Sequence, residues 1–174
     1  MSSAQRSQRA TQLLSAGRKI LDAESLAAIT VRRLSSDAGL SPAGFYRHFP
    51  SVQAFLNDMR CDGFLDLSSH LVGCEVLPGP LNFIRGSYLD KFLEFAQQHA
   101  PSFRLMYFGS SDSAEVMAMR LAMFHDFKNL SLQSKRGGRS AEALAIYRWA
   151  VLQSLGGQAA HHGLPGFGDV RSNP

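Results

Sequence analysis

The chain is poor in features that would place it outside a cell or in a membrane. It has two cysteines in 174 residues, Cys61 and Cys74. They are too few for a disulfide framework and fit no zinc spacing, so a reducing, cytoplasmic setting is expected. No run approaches the roughly 18 consecutive apolar residues of a membrane span. Residues 1–10 are polar, carry Arg6 and Arg9, and lead into no apolar stretch of a secretory signal. There is no glycine-rich phosphate loop, no Ser-centred nucleophile elbow and no paired-carboxylate pattern on a helix, which argues against an enzyme. His161 and His162 are adjacent, and neighbouring side chains on a helix diverge by about 100°. No cysteine or acid lies at ligand spacing from them, so neither metal nor cofactor is expected. Strand-like alternation and internal repeats are missing as well.

What is present is ordinary globular composition, 45% hydrophobic and 18% charged, with a net charge of +4. The charge is unevenly placed. Residues 1–60 hold eight basic side chains (Arg6, Arg9, Arg18, Lys19, Arg32, Arg33, Arg47, Arg60) and four acidic ones, whereas residues 61–174 balance. The whole excess sits in the first third, the footprint of a segment that meets a polyanion.

Periodicity and breakers predict an all-α chain of about eight helices. The first runs over 7–24, with Leu13, Leu14, Gly17, Ile20 and Leu21 on one stripe. Thr30 caps a second over 31–38, and Gly39 breaks it. Ser41 caps a short third helix with Pro42 at its first position. Pro50 follows it, and Ser51 caps a fourth over 52–72. Loop signals at 73–80, including Pro78-Gly79-Pro80, precede helices over 81–99 and 101–109. Two long helices follow, to about residue 132 and over 140–161, with a basic, Gly-rich turn at 135–139 between them. The tail from Gly163 reads as extended. The natural division is a head of residues 1–52 and a body of residues 53–174.

Residues 30–49 carry the mechanics of a helix-turn-helix. Two short helices must cross steeply through a tight turn with a glycine, and Gly39 supplies the positive φ. Val31, Leu34, Ala38, Leu40, Phe45 and Phe49 are spaced to bury the inner faces. The outer face of the third helix is then Ser41, Ala43, Gly44, Arg47 and His48, small or cationic side chains suited to a major groove.

Residues 16–56 resemble the TetR family of bacterial regulators. The matching features are Thr30-Val31-Arg32, the Ala38-Gly39-Leu40-Ser41-Pro42 turn and the Tyr46-Arg47-His48-Phe49-Pro50-Ser51 close. The resemblance implies a three-helix DNA-binding domain followed by a helical ligand-binding and dimerisation domain. It implies phosphate contacts from Thr30, Arg32, Tyr46 and His48, base-facing positions at Ser41, Ala43 and Gly44, and a base or backbone contact from Arg47. Ala43 and Gly44 are poor hydrogen-bonding readers, which shifts specificity toward Arg47, thymine methyls and DNA shape. Two departures stand out. Ser25 occupies a position usually held by glycine, which predicts an altered or mildly strained turn. Val52 replaces a frequent phosphate-binding lysine, which predicts weaker, less salt-dependent binding.

In the body, residues 86–109 are similar to the ligand-domain helices of one TetR subgroup. Tyr88, Phe92, Phe95, Phe103, Met106, Tyr107, Met117, Met123, Phe124 and Phe127 are candidates to line an apolar cavity, with His99, Arg104 or Arg120 as polar anchors. A plain core is the competing and commoner reading for aromatics at helical spacing. The last helix carries Ala141, Leu144, Ala145, Arg148, Trp149, Leu152, Leu155 and Gly156 on one apolar, small-residue face. The resemblance implies that residues 114–132 and 140–161 form a homodimer bundle; packing of that face within one subunit is the alternative. The expected function is a sequence-specific regulator bound to a double-stranded operator, a repressor released by a small apolar ligand. The competing reading is a helical interaction module whose head no longer reads DNA.

Overall fold

The computed structural model describes residues 3–74, 87–109, 112–133 and 139–162, with the side chains of 3–7, 133, 139–143 and 162 outside the description. These residues form α1 (Ser3–Ala23), a 3-10 turn (Leu26–Ala28), α2 (Val31–Asp37), α3 (Pro42–Tyr46), α4 (Val52–His70), α5 (Ser87–Gln98), α6 (Ala100–Phe108), α7 (Ala114–Gln133) and α8 (Arg139–His162). Among the described residues there is no strand, and the fold is all-α. No described helix is long and apolar enough to cross a membrane. The expected breaker at 78–80, the start of the 81–99 helix, most of the 135–139 turn and the tail lie outside the described residues. Helix α1 begins at Ser3 rather than residue 7, since Ser-Ala-Gln-Arg contains no breaker.

Two apolar cores organise the chain. The first joins Leu13, Ile20 and Leu21 of α1, Leu34 of α2, Phe45 and Phe49 around α3, and Phe55 and Met59 of α4. Phe45, Phe49 and Phe55 meet in pairs at 5.0–5.8 Å between ring centroids. Each buried ring contributes about 1.5–3 kcal/mol relative to exposure, which fixes the crossing of α2 and α3. Val31, Ala38 and Leu40 pack at the edge of this core. The second core gathers Phe64 and Leu67 of α4 with Tyr88, Phe92, Phe103, Phe127, Trp149 and Leu152 from the later helices.

Helix α4 therefore serves both cores. Gly17 lets it approach α1: a Cβ there would stand 2.6 Å from Phe55 Cζ and 2.9 Å from Met59 Sδ. Helix α6 also crosses over, inserting Leu105 into the first core. Arg18 of α1 reaches Asp62 and Asp66 of α4, each at 2.6 Å.

Candidate nucleic-acid interface

The head is built from local signals. Thr30 sits in extended conformation, and its hydroxyl accepts from the Arg33 amide at 3.3 Å, starting α2. Gly39 has φ +64°, the left-handed region where a Cβ is costly. The turn closes with Leu40 N–H donating to the Ser35 carbonyl at 2.7 Å. Ser41 then caps α3 by accepting from the Gly44 amide at 3.1 Å, with Pro42 at the first helical position. Ser51 caps α4 in the same way, from the Ala54 amide at 3.0 Å.

Burial of Phe45 sets which side of α3 faces outward. Thr30, Arg32, Ser41, Ala43, Tyr46 and Arg47 are exposed, and Gly44 and His48 are half-buried. Tyr46 is 56% exposed although its ring lies edge-on to Phe45 at 5.4 Å. An aromatic body held by the core with its hydroxyl in solvent suits a phosphate contact. His48 has its Nδ1 buried, with no hydrogen-bond partner among the described residues.

Ion pairs thin out the positive charge counted in the sequence. Arg18 is held by Asp62 and Asp66, and Arg33 by Glu24 and Asp37 at 3.0 Å each. Arg60 is buried against Asp112. Arg9, Lys19, Arg32 and Arg47 are exposed and make no ion pair among the described residues. The structure places both departures from the family pattern. Ser25 is fully extended at φ −168°, leads into the 3-10 turn and carries no backbone strain. Val52 opens α4 half-buried against the head core.

Sequence reasoning missed the Arg60 network. The Arg60 Nη2 donates to the Met106 carbonyl at 3.1 Å and pairs with Asp112. Arg120 of α7 donates to the other oxygen of Asp112 at 2.7 Å and to the Met106 carbonyl at 3.1 Å. Two guanidiniums thus satisfy the open carbonyl end of α6, where cations are favoured. The available signal was an arginine in register with the buried Phe64 and Leu67 of α4.

In the body, Tyr88, Phe92, Phe95, Phe103, Met106, Met123 and Phe127 are buried in one cluster, and Tyr107 packs against it. Met117 is exposed instead, on the outer side of α7. His99 precedes α6 in an exposed position, its ring 4.7 Å from Phe95. Arg104 donates to the Ala160 carbonyl at 2.6 Å, tying α6 to α8. A cavity of about 380 Å³ lies at the cluster's edge, and of the expected ligand residues Tyr88 and Met123 line it. A groove of about 510 Å³ at the junction of head and body includes Arg104.

The expected face of α8 turns inward. Ala145, Arg148, Trp149, Leu152 and Gly156 are buried within the subunit. A Cβ on Gly156 would meet Phe103 and Phe92 at 2.6 and 2.7 Å, so its smallness serves α5 and α6. The outward apolar residues of the two long helices are Met117 and Leu121 of α7 and Ile146 and Tyr147 of α8, each more than half exposed.

Residues 13–59 match the family model of bacterial regulatory proteins, tetR family. No curated protein matches the chain. Among solved structures, a protein of unknown function from Rhodococcus sp. RHA1 is similar at 21% identity and TM-score 0.73, over 91% of this chain and 86% of that one. A possible TetR family transcriptional regulator from Streptomyces coelicolor A3(2) is similar at 12% identity and TM-score 0.63, over 90% and 74%. NalD, the secondary repressor of the MexAB-OprM multidrug efflux pump in Pseudomonas aeruginosa, is similar at 15% identity and TM-score 0.54, over 90% and 85%. The head of this chain is that of the tetR family of bacterial regulatory proteins, a helix-turn-helix DNA-binding unit, carried on a helical body with the fold of those regulators.

Proposed function

We propose that the protein is a homodimeric, cytoplasmic transcriptional repressor that binds a DNA operator through two heads and leaves it when a small, largely apolar ligand enters the body. The observation that carries this reading is the exposed face of α3, capped by Ser41 and aimed outward by the buried Phe45. Thr30, Arg32, Tyr46 and His48 take phosphates. Ser41, Ala43 and Gly44 lie against base edges, and Arg47 reads a base or its phosphate. The body, from residue 53 onward, holds the ligand and the partner subunit. The outward residues Met117, Leu121, Ile146 and Tyr147 belong to the surface that a second copy would cover, since large apolar side chains exposed on two packed long helices gain by burial. The ligand acts by preferring one arrangement of α4 to another, which changes the spacing of the two heads.

Selection of bound duplexes from a random DNA pool tests the reading. Recovery of a palindrome with half-sites about one helical turn apart supports it. Recovery of nothing specific supports a helical interaction module with a degenerate head. Replacing Tyr46 and His48 together by Ala is expected to weaken binding to all sequences alike and leave the dimer intact. Replacing Met117 and Leu121 together by Asp is expected to give a folded monomer by sedimentation.

A further inference from the structure

The 380 Å³ cavity lies between the end of α4, the start of α5 and the middle of α7. Its volume falls at the lower end of the range of small-molecule sites. Leu71, Met123 and Leu130 supply apolar wall. The charge it presents is of one sign: among the described residues that line it, Asp126 is the one charged side chain. Asp126 is exposed at the rim and makes no ion pair among the described residues. Cys74 adds no charge, because burial pushes its thiol up. Lys91 acts on Cys74 electrostatically but does not line the cavity.

Tyr88 is a second, independent observation. It lines the same cavity, is 3% exposed, and its hydroxyl has no hydrogen-bond partner among the described residues. A buried hydroxyl without a partner is costly and uncommon. Its ionisation is pushed well up by burial first and by the negative charge of Asp126 second, so the carboxylate and the phenol share one local field.

We infer that this cavity binds a small lipophilic monocation, with its apolar body against Leu71, Met123 and Leu130 and its charge at Asp126. An apolar wall with one unpaired carboxylate at the mouth favours such a ligand and disfavours an anion of the same size. The ring of Tyr88 offers the cation a further attractive face. The inference rests on the reading that the body holds a small ligand, and it gives that ligand a sign of charge. It also replaces Arg104 and Arg120 as anchors, since both already bond to carbonyls or to Asp112.

The single tryptophan reports on the site. Trp149 lies 5.4 Å from the ring of Phe127, which lies 5.2 Å from Tyr88. Benzyltriethylammonium and butylbenzenesulfonate, of similar size and opposite charge, are titrated into the full chain. The cation is expected to change Trp149 fluorescence saturably and to bind at least about tenfold more tightly than the sulfonate, a difference of about 1.4 kcal/mol. Asp126→Asn, an exposed change, is expected to remove most of that preference with an unchanged thermal melt. Equal binding of the two probes, no binding of the cation, or an unchanged cation affinity in Asp126→Asn would overturn the inference. A cation that binds with the expected preference but leaves the selected DNA duplex bound upholds the site and overturns ligand release.

Discussion

The Arg60–Asp112 pair makes an asymmetric prediction about stability. The Arg60 side chain is 1% exposed and that of Asp112 is 20% exposed. Replacing Asp112 by Ala leaves a buried guanidinium without its carboxylate, a change that costs about 3–5 kcal/mol where water is excluded. Here the Met106 carbonyl still accepts from Arg60, and the site opens to solvent where Asp112 stood. A loss of about 2–4 kcal/mol follows. Replacing Arg60 by Met is far milder. Asp112 keeps Arg120 at 2.7 Å, and the Met106 carbonyl keeps its bond from Arg120 at 3.1 Å. The thioether fills the vacated volume, and the loss is about 0–1.5 kcal/mol.

The double variant no longer buries the Arg60 charge, so its loss should fall below that of Asp112→Ala alone. Urea unfolding followed by circular dichroism, with thermal melts alongside, measures all four proteins. At about 2–4 °C per kcal/mol for a chain of this size, Asp112→Ala should melt roughly 5–15 °C below the parent. The reasoning fails if Arg60→Met is the more destabilised single variant, or if the double variant is no more stable than Asp112→Ala.

Three further outcomes follow from the same geometry. Gly17→Ala should lower stability by about 1–2 kcal/mol in urea unfolding despite its better helix propensity, because its Cβ would press on Phe55 and Met59. The Asp58 carboxyl is held above its ordinary range by burial first, then by Glu115 and Asp62. The folded chain thus favours the protonated form, and a penalty is present above the raised value and absent below the ordinary one. Asp58→Asn should therefore melt higher than the parent at about pH 7, with the gain vanishing near about pH 3. Salt dependence of DNA binding should reflect the unpaired cations Arg9, Lys19, Arg32 and Arg47, about eight per dimer, giving a logarithmic slope near −7. A slope about twice as steep would mean that Arg18, Arg33 and Arg60 leave their carboxylates to meet phosphate.

Legibility followed the range of the interaction. Thr30, Ser41 and Ser51 cap as their residue types predict, and Gly39 takes the positive φ that its place in the turn demands. Each signal acts within four residues, so the chain carries it locally. The inward face of α8 was not legible. Helices α7 and α8 are apolar on more than one side, with Met117 and Leu121 outward while Val116 and Met123 point in. Periodicity cannot rank two apolar faces, and only the shape of Phe92 and Phe103 against Gly156 decides. The head's charge excess was visible, but its partition was not. Asp112 lies 52 residues from Arg60, beyond any spacing rule. At Ser25 the sequence left an altered turn and a strained one open; an extended φ is open to any residue, and the fold uses a 3-10 turn there.

The division at residue 52 separates the helix-turn-helix in sequence, yet Phe55 and Met59 complete its core and Phe64 and Leu67 belong to the next. Helix α4 has 19 residues, about 28 Å at 1.5 Å per residue, and in the proposed mechanism it acts as one lever. Arg60 fixes it to α6 and α7 where the two cores meet. The cavity lies at its far end, at Ser68 and Leu71. A shift there would tilt α4 about the Arg60 contact and move the Val52 end the opposite way. The arms, about 16 and 12 Å, pass on roughly three quarters of the displacement. Leu105 of α6 packs in the head core, so the head would move with the lever as one packed unit. In the proposed mechanism the pivot matters as much as the pocket. Asp112→Asn, which keeps the shape and drops the charge, should therefore leave cation binding intact and blunt DNA release.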